Sequence, residues 1–523
     1  MQVESISSRV AGFTARAQAH AAAKDFRQAT ECYLRALELS PDDPDILLQL
    51  SYIESLAGNY RAAHGYVLQA SKLQTARADV LKELLARLRT FNEIPAMLAC
   101  IERMLPISRI PIPSLITIAA QLTYAGLPQR AIVFLDEALR GDPDYPPTLL
   151  SRAHVLMFLG RFAEAADDIA RTIARAPRIA QAYWLRSQVR KQAGGEDHLA
   201  QIKVQLQAPQ RTAQDRALLA FALHKELDDL GRHDEAWDAL REGCASKRSS
   251  LRYDAARSRD VFERLLRFEP GAFPVAESSE VHATPVFIVG MHRSGTTLIE
   301  QLLDGHSEVR GLGELYDFTS AMRHAADHHC AGVIDPEIVE RAAAVDLSSV
   351  GRRYLDGMAW RLSGERCFTD KLPSNFLNAG FICEALPQAK ILHMVRDPME
   401  TCFSNLRELF SDANPYSYDQ LELADFYRHY RALMAHWHAR YPGRILDVDY
   451  AQLTRDPEQV MRRVCDFIGI AFEPGMLGMQ SRTRGIVTAS AVQVRDRIQV
   501  QETPKWRAYE RHLVPLRERL GGA

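Results

Sequence analysis

The front half of this sequence repeats itself at an interval of 34 residues, and this period constrains the fold more than any other feature. Aromatic, small and helix-ending residues recur at that interval. The recurring pairs are Phe26 and Tyr60, Ala29 and Ala63, Ala36 and Ala70, Gly126 and Gly160, Ala131 and Ala165, and Pro143 and Pro177. Glycine supplies the left-handed residue that closes a helix, alanines let two antiparallel helices approach, and proline stops the second helix. The period therefore predicts a superhelix of stacked helical pairs.

This pattern resembles the tetratricopeptide repeat, whose glycine, aromatic, alanine and proline positions it reproduces. The clearest copies lie near 24–41, 58–74, 126–143 and 160–177. The stretch 92–106 departs from the pattern, because Asn92 and Met97 stand where glycine and alanine are expected, so we expect a degenerate repeat or a kink there. Gly231 and Ala236 restore the spacing and carry the helical array to about residue 270. The resemblance implies a concave groove that binds a protein or peptide, either a partner or a substrate.

Composition excludes several other classes. The chain has 523 residues with 47% hydrophobic and 25% charged side chains, which predicts at least two folded domains. Its 64 basic and 66 acidic residues give a net charge of -2, so no overall field attracts nucleic acid. The first twenty residues lack an apolar core, and nowhere does an apolar run reach the length of a membrane span. Eight scattered cysteines without a C-x-x-C pair indicate reduced thiols, and we expect a cytoplasmic protein.

The helical pattern ends at a polar, proline-containing segment around 271–285. A buried strand is predicted over 285–289, followed by the glycine-rich run 290–297 and then an apolar helical pattern. Successive backbone N–H groups and a helix N-terminus converge in such a loop and bind anions. We therefore expect three parts, which are a helical superhelix over 1–270, a linker over 271–284 and an α/β domain over 285–523.

The loop has the spacing of a nucleoside-triphosphate loop, but Thr296 replaces the expected lysine. Arg293 supplies the positive charge instead, which suits a donor handled without an obligatory metal. The run resembles the 5'-phosphosulfate-binding loop of sulfotransferases that use 3'-phosphoadenosine 5'-phosphosulfate (PAPS). The resemblance implies a P-loop-like α/β domain with a central parallel sheet. It also implies donor contacts from Arg293, Ser294, Gly295, Thr296 and Thr297.

A second phosphate site is predicted where another strand, 390–395, ends. Arg396 leaves this strand and Ser404 follows eight residues later, early in the predicted next helix, so both side chains can reach one phosphate. This is the sulfotransferase pattern for the 3'-phosphate of PAPS. A third strand over 444–450 ends in Tyr450, which the resemblance also assigns to the nucleotide site. Near the C-terminus, Lys505 lies in a stretch that resembles the segment of sulfotransferases that closes over the nucleotide.

Sulfuryl transfer needs a base for the acceptor proton and a cation for the leaving oxygen. The segment 303–310 resembles a segment of the protein-tyrosine sulfotransferases that precedes their catalytic glutamate. This resemblance assigns the base to Glu314. Lys371 and Ser490 match the residues that contact the leaving oxygen in that family. No metal is expected to take part. A further cluster lacks the acidic partner or second cysteine that a metal site requires, and its members are His324, His328, His329 and Cys330.

Alternatives remain open from the sequence alone. The α/β domain could be a non-catalytic nucleotide sensor on a repeat scaffold, although the intact set of predicted site residues argues against decay. A P-loop kinase would require the missing lysine and a magnesium-binding aspartate, for which Asp447 and Asp449 are weak candidates. The acceptor could be a peptide tyrosine, a saccharide or a small phenol. The oligomeric state is not readable.

Overall fold

Antiparallel helices occupy the chain from Ile6 to Arg267. The structure is a computed structural model that describes residues 5–75, 77–104, 106–194, 197–271, 281–478 and 503–521. The helices of this array are α1 (Ile6–Ala22), α2 (Phe26–Leu39), α3 (Pro44–Ala57), α4 (Tyr60–Lys72), α5 (Ala78–Thr90), α6 (Ile94–Glu102), α7 (Ile112–Tyr124), α8 (Pro128–Gly141), α9 (Pro146–Leu159), α10 (Phe162–Arg175), α11 (Ala180–Val189), α12 (His198–Gln207), α13 (Ala213–Asp229), α14 (His233–Ser250) and α15 (Ala255–Arg267). The predicted α-solenoid is confirmed.

A left-handed residue closes the turn inside each of six successive repeats. These residues are Lys24, Gly58, Asn92, Gly126, Gly160 and Gly194, each 34 positions after the one before. Asn92 has a φ of 60°, so the repeat that was expected to be degenerate or kinked keeps the turn without glycine. Asparagine tolerates this conformation better than most residues because its short side chain can hydrogen-bond locally. This repeat therefore differs from the others in sequence but not in the conformation of its turn.

The second half of the chain forms a parallel sheet surrounded by helices. The described strands are β1 (Thr284–Gly290), β2 (Val309–Gly311), β3 (Cys367–Asp370), β4 (Lys390–Val395) and β5 (Ile445–Asp449), in the order β2-β3-β1-β4-β5. The helices are α16 (Thr296–Leu303), α17 (Asp317–Ala326), α18 (Pro336–Ala342), α19 (Leu347–Met358), α20 (Ala379–Ala385), α21 (Pro398–Leu406), α22 (Gln420–Arg440), α23 (Tyr450–Arg455), α24 (Pro457–Ile468) and α25 (Val514–Arg519). Short 3₁₀ helices cover Ile107–Arg109, Ala359–Arg361, Pro373–Asn378, Pro415–Tyr418, Pro474–Leu477 and Lys505–His512. The predicted α/β class with a central parallel sheet is confirmed.

The last helices of the array share a hydrophobic core with the sheet domain. Buried side chains of α11 to α15 belong to the same cluster as those of β1, α17, α19, α20 and α22, whereas most of the earlier repeats enclose separate cores. At the centre, the Phe262 ring lies 6.4 Å from the Phe376 ring and 5.3 Å from the Phe426 ring. Burial of apolar surface is the main favourable term in folding, so this core joins the two parts firmly.

The early repeats reach the sheet domain at a second place, through polar contacts. The backbone N–H of Arg61 donates to Asp327 Oδ1 over 2.8 Å. The Ser320 hydroxyl donates to the Phe91 carbonyl over 2.9 Å, and the side chain of Asn92 bonds Asp317. The array therefore contacts the sheet domain through its last helices and again at α4 and the turn after α5, and a cleft lies between the contacts.

Two other expectations concern the chain as a whole. Throughout the described residues, no helix combines the length and apolar character that crossing a membrane requires. All eight cysteines are free thiols, and seven are buried.

Gly351 and Gly357 in α19 provide a matched test of packing. A Cβ on Gly351 would overlap the carbonyl oxygen of Ala385, whereas one on Gly357 would lie 3.6 Å from Asp317 Oδ1, an ordinary contact. Gly351→Ala should lower the free energy of unfolding by about 1–3 kcal/mol through overpacking. Gly357→Ala should leave it unchanged or raise it slightly, since alanine favours a helix. Thermal unfolding of both variants measures this, and equal melting temperatures would contradict the described packing of α19 on α20.

Candidate active site

The segment between β1 and α16 forms a tight turn, which we call the glycine loop (residues 290–295). Gly295 caps α16 with a φ of 105°, and Arg293 has a φ of 67°. Thr296 and Thr297 begin the helix and are buried, as is Ser294. The N-terminus of α16 therefore lies directly after the end of β1, in the position where an anion can bind.

Arg293 turns toward the helix that follows β4. Its Nε donates to Ser404 Oγ over 3.3 Å, and its Nη1 lies 3.6 Å from Glu408 Oε2. Ser404 lies in the last turn of α21, not early in the helix as expected, because α21 begins directly at Pro398 and ends at Leu406. Ser404 was predicted to share a phosphate with Arg396, whereas its hydroxyl here bonds Arg293, and its part in phosphate binding stays a prediction.

Arg396 and Tyr450 lie beside the glycine loop at the ends of β4 and β5. Arg396 donates from Nη1 to the Arg293 carbonyl over 3.2 Å and from Nη2 to Glu400 Oε2 over 2.7 Å. Its guanidinium stacks on the Tyr450 ring, 4.5 Å from the ring centre. Since parallel strands end at one edge of a sheet, three sequence-distant segments meet here.

Glu314 and Lys371, which were predicted to do the chemistry, form an ion pair. Lys371 Nζ donates to Glu314 Oε1 over 2.7 Å. The lysine side chain is 1% exposed and the glutamate side chain 34% exposed, so the carboxylate faces the cleft while the ammonium lies behind it. A buried ammonium requires such a partner, because its desolvation is otherwise very costly.

The two predicted C-terminal residues have different outcomes. Lys505 begins a 3₁₀ helix that packs on α14 of the array, and burial lowers the pKa of its ammonium group, with Arg407 adding to the effect. Ser490 lies outside the described residues. Its assignment stays a prediction.

A large cleft of about 2540 Å³ unites most of the predicted site residues. The predicted residues along its wall are Arg293, Gly295, Thr296, Thr297, Glu314, Arg396, Ser404, Tyr450 and Lys505. The opposite wall belongs to the repeat array and includes Tyr124, His154, Phe158, Trp184 and Gln188. Ligand sites for small molecules usually enclose about 300–1,000 Å³, so this cleft has room for more than a nucleotide.

Sequence reasoning missed three residues that shape the glycine loop. Asn405 Nδ2 donates to the His292 carbonyl over 2.6 Å and holds the loop against α21. Burial raises the pKa of Glu408, although Arg293 and Arg407 oppose the shift. Burial lowers the pKa of His292 to about 4, so this imidazole is neutral at pH 7. Asn405 and Glu408 are single polar residues outside a recognised motif, and His292 stands at an unspecified position of the loop pattern, so none of the three gave a signal.

The cluster that was considered and rejected as a metal site lies at the polar contact between the array and the sheet domain. His329 stacks on Tyr60, and His324 meets His64 edge to face. His328 Nε2 pairs with Asp335 Oδ2 over 2.9 Å. The imidazoles of His324 and His329 therefore serve an interface between the two parts of the chain, while His328 bonds within the sheet domain.

Comparison with known proteins agrees with this geometry. The segment 285–474 matches the sulfotransferase family model, and the segment 10–53 matches the tetratricopeptide-repeat model. Residues 285–474 thus form a sulfotransferase-family domain. The predicted resemblance to both families is confirmed.

The relatives of this chain include bacterial and animal proteins. An uncharacterized protein of Aquifex aeolicus is 31% identical over 408 residues, which cover 75% of this chain and 52% of that protein. The chain therefore spans about half the length of that relative. Protein-tyrosine sulfotransferase 2 of Gallus gallus is 25% identical over 304 residues, covering 49% of this chain and 76% of that protein. A solved sulfotransferase domain from the Synechococcus olefin synthase is 20% identical, and its match covers 46% of this chain and 98% of that domain with a TM-score of 0.28.

Gly295 tests whether the glycine loop binds the nucleotide. A Cβ at this position would overlap the ring of Tyr450, on which Arg396 stacks. Gly295→Ala should weaken binding of adenosine 3',5'-bisphosphate at least about tenfold by titration calorimetry, because a displacement near 1 Å in such a site is costly.

Gly443→Ala is the matched control for this substitution. Gly443 also has a positive φ, 77°, but nothing lies within 4 Å of an added Cβ. Equal nucleotide affinity in both variants would contradict the role of the glycine loop.

Proposed function

We propose that the protein is a sulfotransferase that moves the sulfuryl group of PAPS to a hydroxyl acceptor. One observation carries the proposal. The Glu314–Lys371 ion pair, 2.7 Å long, opens onto the same cleft as Arg293 and Arg396, the two predicted phosphate-binding arginines. A base that faces the cleft, a cation bonded behind it and two phosphate ligands on the cleft wall are the groups that sulfuryl transfer requires.

The donor set at the glycine loop fits a nucleotide with two separate phosphate groups. We assign one phosphate to Arg293, the first turn of α16 and the threonine hydroxyls, and the other to Arg396 and Ser404. Support comes from the contacts of Ser404 and Arg396 with Arg293, which bring these groups together. Ser294 Oγ and His292 Nδ1 are buried without a hydrogen-bond partner among the described residues. Buried polar atoms of this kind usually have a partner, which supports a ligand at the loop.

In the proposed reaction, the acceptor oxygen attacks sulfur while the bond from sulfur to the bridging phosphate oxygen breaks. Glu314 takes the acceptor proton, and the ammonium group of Lys371 neutralises the negative charge that develops on the leaving oxygen. The proposed products are a sulfate ester and adenosine 3',5'-bisphosphate. Because the two side chains hold each other at 2.7 Å, both are oriented before any substrate enters. Ser490 is proposed as a second donor to the leaving oxygen.

We propose a peptide or protein tyrosine as the acceptor. Support comes from the resemblance to protein-tyrosine sulfotransferases and from the size of the cleft, which exceeds what a nucleotide fills. The repeat wall of the cleft carries aromatic side chains that can pack on a polypeptide. In this proposal, the array holds the acceptor segment while Glu314 meets its hydroxyl.

We further propose that the protein works in the cytoplasm without a metal in the transfer step. Support for a reducing compartment comes from the eight free thiols. Burial raises the pKa of both Cys383 and Cys465 to about 11, so these thiols are protonated and unreactive at neutral pH.

Glu314→Gln should abolish turnover while leaving nucleotide binding intact. Loss of a general base costs about 10²–10⁴-fold in rate, and the nucleotide should still bind within a few fold of wild type. Transfer from labelled PAPS to 2-naphthol measures turnover, and titration with adenosine 3',5'-bisphosphate measures binding. Glu308→Gln removes a solvent-exposed carboxylate six residues earlier and serves as the control.

Two results would contradict this assignment. Unchanged turnover in Glu314→Gln would refute the assignment of Glu314 as the base. Binding of ATP with magnesium but not of the bisphosphate would favour a kinase.

Arg396→Ala extends the test, since losing charge-assisted bonds of about 1.5–3 kcal/mol each should weaken bisphosphate binding at least about tenfold.

The repeat wall is tested by Tyr124→Ala, which removes a ring that lines the cleft and is 69% exposed. The loss should lower kcat/KM for a tyrosine-containing random copolymer about fivefold, a typical effect near 1 kcal/mol for an aromatic contact. Turnover of 2-naphthol should not change. Tyr145→Ala removes another partly exposed ring of the array, outside the described lining, and should affect neither acceptor. Equal losses with both acceptors would argue against a polypeptide on this wall.

A further inference from the structure

Three metal-ligating side chains converge behind the glycine loop, at the edge of the sheet between β4 and β5. His393 and Asp447 are register partners on these adjacent strands, and His438 comes from the last turn of α22. One ligand atom from each lies within 4.8 Å of the others. His393 Nδ1 and His438 Nε2 both lie 2.7 Å from Asp447 Oδ1.

We propose that His393, His438 and Asp447 bind a divalent transition-metal ion, with zinc as the expected occupant. Two imidazole nitrogens and one carboxylate oxygen are the ligand types that zinc takes most often besides cysteine. The same set also suits cobalt and nickel, which makes these ions useful probes. The site is distinct from the proposed transfer chemistry, and it does not depend on the proposed function.

The spacing of the ligand atoms suits an ion after a small adjustment. Bonds of about 2.0–2.2 Å in tetrahedral geometry place ligand atoms roughly 3.3–3.6 Å apart around zinc. The present separations of 2.7 Å are those of hydrogen bonds, so binding releases the shared protons and moves each imidazole nitrogen about 0.6–0.9 Å further from the carboxylate oxygen. Asp447 and His438 are 56% and 34% exposed and can move, while His393 is 8% exposed and fixed by the sheet.

A hydrogen bond outside the ligand set orients the buried ligand. His393 Nε2 contacts the hydroxyl of Tyr430, a buried residue of α22. A hydroxyl can donate to this nitrogen or accept from it, so it supports both the metal-free ring and the tautomer that offers Nδ1 to a metal. Metal-bound histidines commonly have such a partner on the second ring nitrogen.

Room for water ligands adjoins the group. A second cavity, of about 230 Å³, is lined by the three side chains and by Tyr430. The exposed side of Asp447 provides an entry path from solvent. Three protein ligands with open positions are therefore available, and a bound ion would link β4, β5 and α22 near the strand end that carries Arg396.

The test uses the full-length, tag-free protein after chelation and dialysis. Titration with zinc chloride should show one equivalent bound in the micromolar range, and zinc should raise the melting temperature by a few degrees. His438→Ala and Asp447→Asn should each remove this equivalent. Tyr430→Phe should keep the ion but weaken binding about 10–100-fold, as expected for a residue that orients a ligand.

His436→Ala is the matched control, because it removes an imidazole of the same helix that is not part of the group. It should bind zinc like wild type. No zinc binding by wild type, or equal binding by His438→Ala and His436→Ala, would overturn the proposal. A cobalt spectrum with a thiolate charge-transfer band would place the ion on cysteines and would overturn it as well. If His438→Ala fails to fold, Asp447→Asn decides, since that side chain is exposed and its replacement is isosteric.

Discussion

The aromatic contact of Phe262 with Phe376 and Phe426 fixes the geometry of the whole molecule. It joins the end of the repeat array to the segment that follows Lys371 and to α22. This core sets one side of the array against the carboxyl ends of the strands, and the cleft lies between them. Packing at crystal-like density leaves such a junction little freedom, so the repeat wall and the chemical groups keep a defined separation.

Charges at this junction are compensated between the two parts of the chain. Asp228 of α13 accepts from Arg407 Nη2 over 2.6 Å and from the Tyr509 hydroxyl over 2.5 Å. Although burial alone would raise it, the pKa of Asp228 falls to about 2, mainly because of Arg407. Arg407 also precedes Glu408, the partner of Arg293. The array thus contributes directly to the environment of the glycine loop.

The sequence predicted those parts of the molecule that local chemistry determines. The glycine loop, Arg396 and Tyr450 were found because each follows a strand pattern, and parallel strands end at one edge. Asn92 shows the limit of pattern reading, since it takes the left-handed conformation for which glycine was expected, and Lys24 takes the same conformation.

Other features depend on contacts between distant segments. β2 and β3 are too short to show periodicity, and they were not predicted. The position of Ser404 was misjudged because the start of α21 was not read from Pro398. The cleft, Glu408 and the pairing of His393 with Asp447 require the docking of the array or the register of two strands. Neither the docking of the array nor the register of two strands can be read from a local sequence pattern.

The two contacts between the array and the sheet domain also restrict how many repeats can lie between them. A solenoid normally needs a polar capping unit at each end, and here the sheet domain covers the apolar end of the last helices instead. Between that end and the contact at Arg61, the intervening repeats act as a spacer of fixed length. Inserting or deleting one 34-residue unit would leave both contact surfaces intact but no longer able to meet at once. The number of repeats between the two contacts therefore determines the width of the cleft.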